Sequence, residues 1–381
     1  MKNMIKEIIL VTIGAPNLIK TWSGVPYFLL NELQKKSIKV DVIDLEPNRY
    51  VKALYNIIIM PFVSLFIREG EKSIYRSVFF QIYQTLMLKV KIRRYRTADV
   101  IVGLSYNLLI PDQSRPIVLF SDWPFSYELS RSGVNPGWYH RYHIEWERKC
   151  LKNASQVISL FPTCAKYINN YLGDAKAISL GVNVVNNLMQ EPEIGLIESK
   201  KNNKNVVFIG RKHYLKGAMT LIALYEDLKN LFPSLQIDVV GLTKDDFPEN
   251  FLIGKEDVRF HGYLDKGDSG QCLTYYEILN NASLYVNTTP GWVGYTSMIE
   301  AMYYYTPVVV YPCTEFIDEF GEDIKFGAYC THNENLVDVI NKTLSDQHNF
   351  ECMCINAHNR VSCYTWSNFV EEFLSSINKK Y

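Results

Sequence analysis

The stretch NVVFIGRKHYLKG, Asn205 to Gly217, decides how the chain is read. Its first residues are β-branched and aromatic, the side chains that suit a buried strand. Gly210 closes that run, and a polar turn carrying Arg211 follows. Lys216 then opens a helix-like segment that runs to Leu231. Strand, turn and helix in succession form the repeating unit of a parallel sheet with helices on both faces.

The same rhythm extends in both directions. Downstream come LQIDVVG, VRFHGYL, a helix near Gln271–Asn281, SLYVNTT, a helix from Ser297, and PVVVYP. Upstream, EIILVTIGA is followed by GVPYFLLNELQKKS, where Val25, Leu29 and Leu33 recur at helical spacing. KVDVIDL, ADVIVGLS, PIVLFSD, QVISLF and AKAISLGV read as further strands. Residues 183–205 break the rhythm: NVVNNLMQEPEIGLIESKKNNKN is polar and rich in Asn and Lys. The expected organisation is a first domain over 1–182, a linker over 183–204, a second domain over 205–362 and a terminal helix over 363–381. Each domain is an α/β, Rossmann-like parallel-sheet fold. Ligands in such folds bind at the carboxyl ends of strands, and an interdomain cleft is the expected site.

Composition narrows the function. The chain has 381 residues, 48% of them apolar, and 40 basic residues balance 40 acidic ones. No net field calls for nucleic acid, which is not an expected partner. No apolar run reaches the ~18–20 residues of a membrane span. MKNMIKEIILVTIGAP has a brief apolar run preceded by Glu7 and reads as a buried strand, not a signal peptide. The eight cysteines are scattered, which suits reduced thiols in the cytoplasm. Cys352, Cys354, His358 and Cys363 crowd together near the end, but their spacing matches no strong zinc pattern. No metal is expected. Neither G-x-G-x-x-G nor G-x-x-x-x-G-K-[ST] occurs, against an ordinary dinucleotide enzyme or a P-loop NTPase.

Two places carry candidate chemistry. Arg211 and Lys216 flank the strand-to-helix turn, where a diphosphate would meet two cations and the amides of a helix start. The plain alternative is two solvated surface charges. In GWVGYTSMIEAMYYYTPVVV, Gly291 to Val310, Glu300 is the one charged residue. Ser297 and Glu300 fit the S-x-x-E capping box; Glu300 also suits a ligand's hydroxyls at that helix start.

The order of these segments resembles glycosyltransferase family 4, of the GT-B fold. Strand–G-R–x4–K-G–helix, VRFHGYL, YYEILNNASLYVNTTP, a glycine loop and IEAMYYYTPVVV look like its donor-binding domain. TWSGVPYFLLNEL looks like its N-terminal glycine loop, and EWERKCLKNASQVISLFPTCAKYI like its Glu-to-Ala stretch. ISLGVNV resembles the segment that closes the first domain, and YTWSNFVEEFLSSI the C-terminal helix that crosses back to it. Each motif is loose; their shared order over nearly the whole chain is specific. The resemblance implies sugar transfer from a nucleotide-sugar, UDP or GDP type, to a glycan or lipid-linked acceptor, with retention and without metal. Arg211 and Lys216 would hold the diphosphate and neutralise the leaving group. Glu300 would take the ribose diol, Gly24 would let backbone approach the phosphates, and Gly262 and Tyr263 would lie near the base. Tyr263 is equally read as core packing.

The sequence departs from the family twice. Trp292 stands where a Glu usually reads the donor sugar. Trp292 is then expected to stack on an altered sugar, with the loop Gly294, Tyr295, Thr296 and Ser297 reading its hydroxyls. In VLFSDWPF a usual His is replaced by Ser121, and Asp122 is either an acceptor-orienting base or a turn former. His140 and His143 are further candidates without a fixed place. Ala53–Ile67 carries no charge until Arg68 and is interrupted by Pro61, while Leu86–Arg96 holds five cations. Together they suit either a buried helix pair with a basic face or a seat on an anionic membrane. The leading expectation is a cytoplasmic, peripheral glycosyltransferase of surface-polysaccharide synthesis. The competing one is a non-catalytic GT-B subunit that binds a nucleotide or another transferase. A nucleotide-sugar epimerase fits the GR-x4-KG pattern less well.

Overall fold

The computed structural model describes residues 5–63, 73–112, 114–180, 184–291, 295–331 and 334–380. The chain forms two compact units: Met1–Val182 with Phe369–Tyr381, and Asn183–Asn368.

The first unit is built on six parallel strands. They are β1 (Glu7–Thr12), β2 (Lys39–Asp44), β3 (Val100–Gly103), β4 (Ile117–Ser121), β5 (Gln156–Ser159) and β6 (Ala177–Ser179). Their order is β2-β1-β3-β4-β5-β6, so the direction of winding switches at β1/β3. Ile8, Ile9, Leu10 and Val11 are all buried, the continuous apolar run that a doubly covered parallel strand demands. The helix Val25–Lys35 buries Val25, Leu29 and Leu33, the expected stripe, and Pro26 sits in its first turn where no donor is lost. From the other end of the chain, Phe369 packs its ring 5.4 Å from that of Phe120.

The second unit repeats the plan. Its strands are β7 (Asn205–Ile209), β8 (Ile237–Val240), β9 (Val258–Gly262), β10 (Ala282–Asn287), β11 (Val308–Val310) and β12 (Gly327–Tyr329). The order β12-β11-β10-β7-β8-β9 places the switch at β7/β10. The helix expected over Lys216–Leu231 arrives as two, Leu215–Ala223 and Tyr225–Leu231, because Leu224 turns to φ −89°, ψ 7°.

The stretch read as a linker is not wholly one. Leu196–Asn203 is a helix of the second unit. Its anchor is Lys200, buried, with Nζ donating to the carbonyls of Leu279 (2.7 Å) and Ala282 (2.7 Å) and to Thr306 Oγ1 (2.9 Å). Burial pushes this amine down to about 7, while three oxygens match the three N–H donors of its charged form. A hydropathy pattern counts that lysine as surface.

The apolar stretch after β2, over its described residues 53–63, is not wholly buried, and residues 64–67 lie outside the described residues. Asn48 Oδ1 caps the helix Arg49–Leu54 by accepting from the amides of Tyr50 and Val51. The backbone then widens into a π-turn over Tyr55–Ile59, closed by the Met60 amide on the Tyr55 carbonyl, just ahead of Pro61. Ile57 is 74% and Phe62 73% exposed.

Candidate functional site

The strand-to-helix turn of the second unit lies at its topological switch. After β7, Arg211 is extended, Lys212–Tyr214 form a 3-10 turn, and Leu215–Ala223 follow as helix. Gly217 is the residue that lets this helix approach the loop after β10. A Cβ there would stand 2.0 Å from Thr289 Oγ1 and 3.2 Å from Asn287 Oδ1. Arg211 and Lys216 are both exposed. Lys212 is tied to Asp246 at 3.2 Å, but among the described residues no carboxylate pairs with Arg211 or Lys216. The Arg211 guanidinium lies over the Tyr263 ring, 4.9 Å from its centroid. Tyr263 is 52% exposed, so it is not a core residue. Gly262, beside it, holds φ +62°, a conformation that favours glycine.

Glu300 departs from the capping-box reading. The helix runs Tyr295–Tyr303, so Ser297 lies inside it and its hydroxyl meets the Tyr285 hydroxyl at 3.0 Å. No capping box forms. The Glu300 side chain is 2% exposed and both its oxygens accept from Lys266 Nζ at 2.8 Å. Tyr275 donates its hydroxyl to Oε2 at 2.5 Å. The Lys266 ammonium also lies 4.2 Å from the Tyr275 ring centroid. Lys266 and Tyr275 are missed by sequence reasoning, since an ion pair across 34 positions leaves no periodic mark.

The donor-sugar loop is partly corrected. Tyr295 is buried, its ring 4.9 Å from Phe316 and 5.6 Å from Phe320, so the ring packs in the core. A tyrosine beside glycines looks like a loop residue until its ring is placed. Thr296 is half-buried on the same helix. Trp292 and Gly294 lie outside the described residues. His358 Nδ1 meets the Tyr303 carbonyl at 2.6 Å, Cys354 is buried, and Cys352 and Cys363 are exposed. No group able to hold a metal occurs among the described residues.

In the first unit, Asp122 follows β4. Its Oδ1 accepts from the Trp123 amide at 2.8 Å and the Ser121 hydroxyl at 3.2 Å. Burial pushes the carboxyl up and these bonds oppose it. Trp22 (φ +40°) and Ser23 (φ +53°) sit in left-handed conformations that cost roughly 1–2 kcal/mol each for a residue with a Cβ. Gly24 continues the turn at φ +89°, where a Cβ would also press 3.1 Å from the Phe28 ring. Glu147, from the Glu-to-Ala stretch, is fully buried. It accepts from the amides of Phe125 (2.7 Å) and Ser126 (3.4 Å), so it caps the short helix that follows Asp122. His140 and His143 are buried on the helix Trp138–Asn153, and His143 Nδ1 meets Gln81 Nε2 at 2.8 Å.

Two doubly wound parallel units, with uncommitted cations at the second unit's switch point, define a GT-B protein. The comparisons agree and are more particular. Residues 190–360 match the family model described as Glycosyl transferases group 1. That segment is similar to the glycosyltransferases of this family. Among solved structures it resembles sucrose-phosphate synthase from Thermosynechococcus elongatus, with TM-score 0.69 and 14% identity over 98% of each chain. HepE from Anabaena, in complex with UDP-glucose, matches with TM-score 0.60 and 15% identity over 99% of this chain and 100% of that one. The pneumococcal O-GlcNAc transferase GtfA, in complex with UDP and GlcNAc, matches with TM-score 0.63 and 9% identity over 99% of both chains. At these identities the likeness shows the fold alone. No curated protein matches the sequence.

Proposed function

We propose that the protein moves a sugar from a nucleoside diphosphate-sugar to a glycan or lipid-linked acceptor, with retention and without a metal. The carrying observation is the pair Arg211 and Lys216, which no described carboxylate neutralises, beside the start of the helix Leu215–Ala223. As the glycosidic bond breaks, charge gathers on the departing diphosphate. Two cations and the helix amides stabilise that charge, the work a metal does elsewhere. Glu300 then serves the ribose in a restricted way. A carboxylate offers about four acceptor positions, and Lys266 and Tyr275 occupy three, which leaves one on Oε1 for a single hydroxyl. Relatives of this fold hold UDP or UDP-glucose, which favours UDP over GDP as the first nucleotide to try.

The same reading places the enzyme in surface-polysaccharide synthesis at the inner face of the cell membrane. On the helix Val78–Lys91, Val78, Ile82, Leu86 and Val90 recur every fourth position and all four are exposed. Ile57, Ile58 and Phe62 add exposed apolar side chains from the stretch before it. Lys89, Arg93, Arg94 and Arg96 are exposed at the helix's far end. An apolar stripe that ends in cations fits an anionic leaflet, where each cation contributes about 1 kcal/mol.

Incubation with UDP- and GDP-sugars, reading release of the nucleoside diphosphate and the anomeric signal of the product, tests the activity. Nucleotide binding without transfer or donor hydrolysis would favour the non-catalytic subunit. Sedimentation with phosphatidylglycerol vesicles tests the membrane seat. Binding should exceed that to phosphatidylcholine and fall in Ile57→Glu and Leu86→Glu; equal binding to both lipids would remove it.

A further inference from the structure

The first unit carries a concavity of about 440 Å³ at the amino ends of β3 and β4. This is the pole of the sheet opposite the strand ends at which ligands of such folds bind. Its size lies within the roughly 300–1,000 Å³ of small-molecule sites. The helix Val78–Lys91 and the 3-10 turn Ile92–Arg94 bring Lys89, Ile92 and Arg93 to the wall, with Arg96 just beyond. The turn ahead of β4 brings Pro111, Asp112 and Arg115.

The charge of this wall is unbalanced. Asp112, the one carboxylate among its lining residues, is spent on Arg115, and its Oδ2 accepts from Nε at 3.1 Å and Nη2 at 2.5 Å. Arg115 also donates Nη1 to the Tyr95 carbonyl, so this pair is held in place and neutral. Lys89, Arg93 and Arg96 are exposed, and no carboxylate among the described residues pairs with them. Lys89 and Arg93 stand four positions apart, where like charges on a helix repel.

A helix C-terminus attracts cations, but it acts on all the late ones alike and does not gather three around one hollow. Lys91, in the same last turn, gives Nζ to the Asp44 carbonyl at 2.8 Å. Arg94 is exposed and lies off the pocket wall.

Such a hollow suits an anion of more than one charge. A phosphate monoester carries about −1.5 to −2 at pH 7 and three acceptor oxygens, and a guanidinium meets two of them in parallel. Two arginines and a lysine match that dianion better than a diester, which holds a single charge. Ile92 and Pro111 supply apolar wall for the body that bears the phosphate.

We propose that this pocket is a further ligand site, selective for a phosphate monoester, with Lys89, Arg93 and Arg96 donating to its oxygens. The inference rests on the pocket alone and needs neither the transferase reading nor the membrane seat. A soluble sugar or glycerol phosphate and the headgroup of phosphatidic acid share this chemistry.

The test is titration calorimetry on the full chain, with UDP present throughout to occupy the second unit's cations. Glycerol 3-phosphate and glucose 6-phosphate should bind at one site per chain. Dimethyl phosphate should bind at least about tenfold more weakly, and glucose not at all. Arg93→Ala and Arg96→Ala should each weaken glycerol 3-phosphate at least about tenfold, with circular dichroism spectra as in the parent. Arg94→Ala should leave its affinity unchanged. Equal losses in all three variants would mean a diffuse positive field and overturn the proposal. So would absence of monoester binding, or a diester bound as tightly. Vesicles separate the two sources. Phosphatidic acid vesicles that displace glycerol 3-phosphate, where phosphatidylglycerol vesicles do not, assign the site to a lipid headgroup. No displacement by either assigns it to a soluble phosphate, and equal displacement by both overturns monoester recognition. Ile57→Glu, off the pocket wall, should leave glycerol 3-phosphate binding intact, so loss of the membrane seat and loss of this site are read separately.

Discussion

Lys266→Met is the most informative single change in the second unit. In the parent, one ammonium lies 2.8 Å from both oxygens of a carboxylate that is 2% exposed. The variant keeps the stem's apolar contacts and removes the charge. Glu300 is then a buried carboxylate with Tyr275 as its one remaining donor among the described residues. Breaking a buried pair from one side costs about 3–5 kcal/mol. Lys266 is 15% exposed and the Tyr275 bond survives, so the low end, about 3 kcal/mol, is expected. Urea unfolding reads the loss as a lower midpoint at unchanged slope. Glu300→Gln in the same background removes the orphaned charge and should restore about 2 kcal/mol, a coupling typical of directly bonded partners. Strictly additive effects, or a loss below about 1 kcal/mol for Lys266→Met alone, would refute a buried pair. The variant also frees Glu300 for a second ribose hydroxyl, so preference for UDP over its 2′-deoxy form should widen.

Two further changes follow from geometry. Gly217→Ala puts a methyl 2.0 Å from Thr289 Oγ1, which is itself tied to Asn287 Oδ1 at 2.7 Å. Overpacking of this kind costs about 1–3 kcal/mol, and Thr289→Ala in the same chain should recover most of the lost melting temperature. Glu147 titrates with a definite sign. Burial raises it from 4.5 to about 7, so the folded state binds more protons than the unfolded one between those values. Its contribution is fully present below pH 4.5 and is lost as pH rises through about 7. At 1.36 kcal/mol per unit this is at most about 3 kcal/mol, and Glu147→Gln should flatten that part of the stability profile between pH 5 and pH 8. An unchanged profile would count against it.

Both sheets were legible because parallel strands buried on two faces leave continuous apolar runs, as Ile8–Val11 does, and because Val25, Leu29 and Leu33 mark a helix face. The turn carrying Arg211 and Lys216 was legible for the same reason: it must follow a strand end. What escaped was set by partners distant in sequence. Lys266 and Tyr275 meet Glu300 only through the fold, and Lys200 anchors a helix that its composition disguises as a linker. Composition could not choose between core and surface for Ala53–Val63, since both use the same apolar residues; Ile57 and Phe62 decide it by their exposure. Tyr295 misled in the opposite direction, a loop-like neighbourhood around a ring that packs on Phe320.

Titration calorimetry of UDP against the parent, Arg211→Ala and Lys216→Ala tests the diphosphate site most directly, with uridine as the control ligand. A charge-assisted bond contributes about 1.5–3 kcal/mol, so each variant should bind UDP roughly 10- to 100-fold more weakly and uridine unchanged. UDP affinity equal in all three proteins would contradict the account.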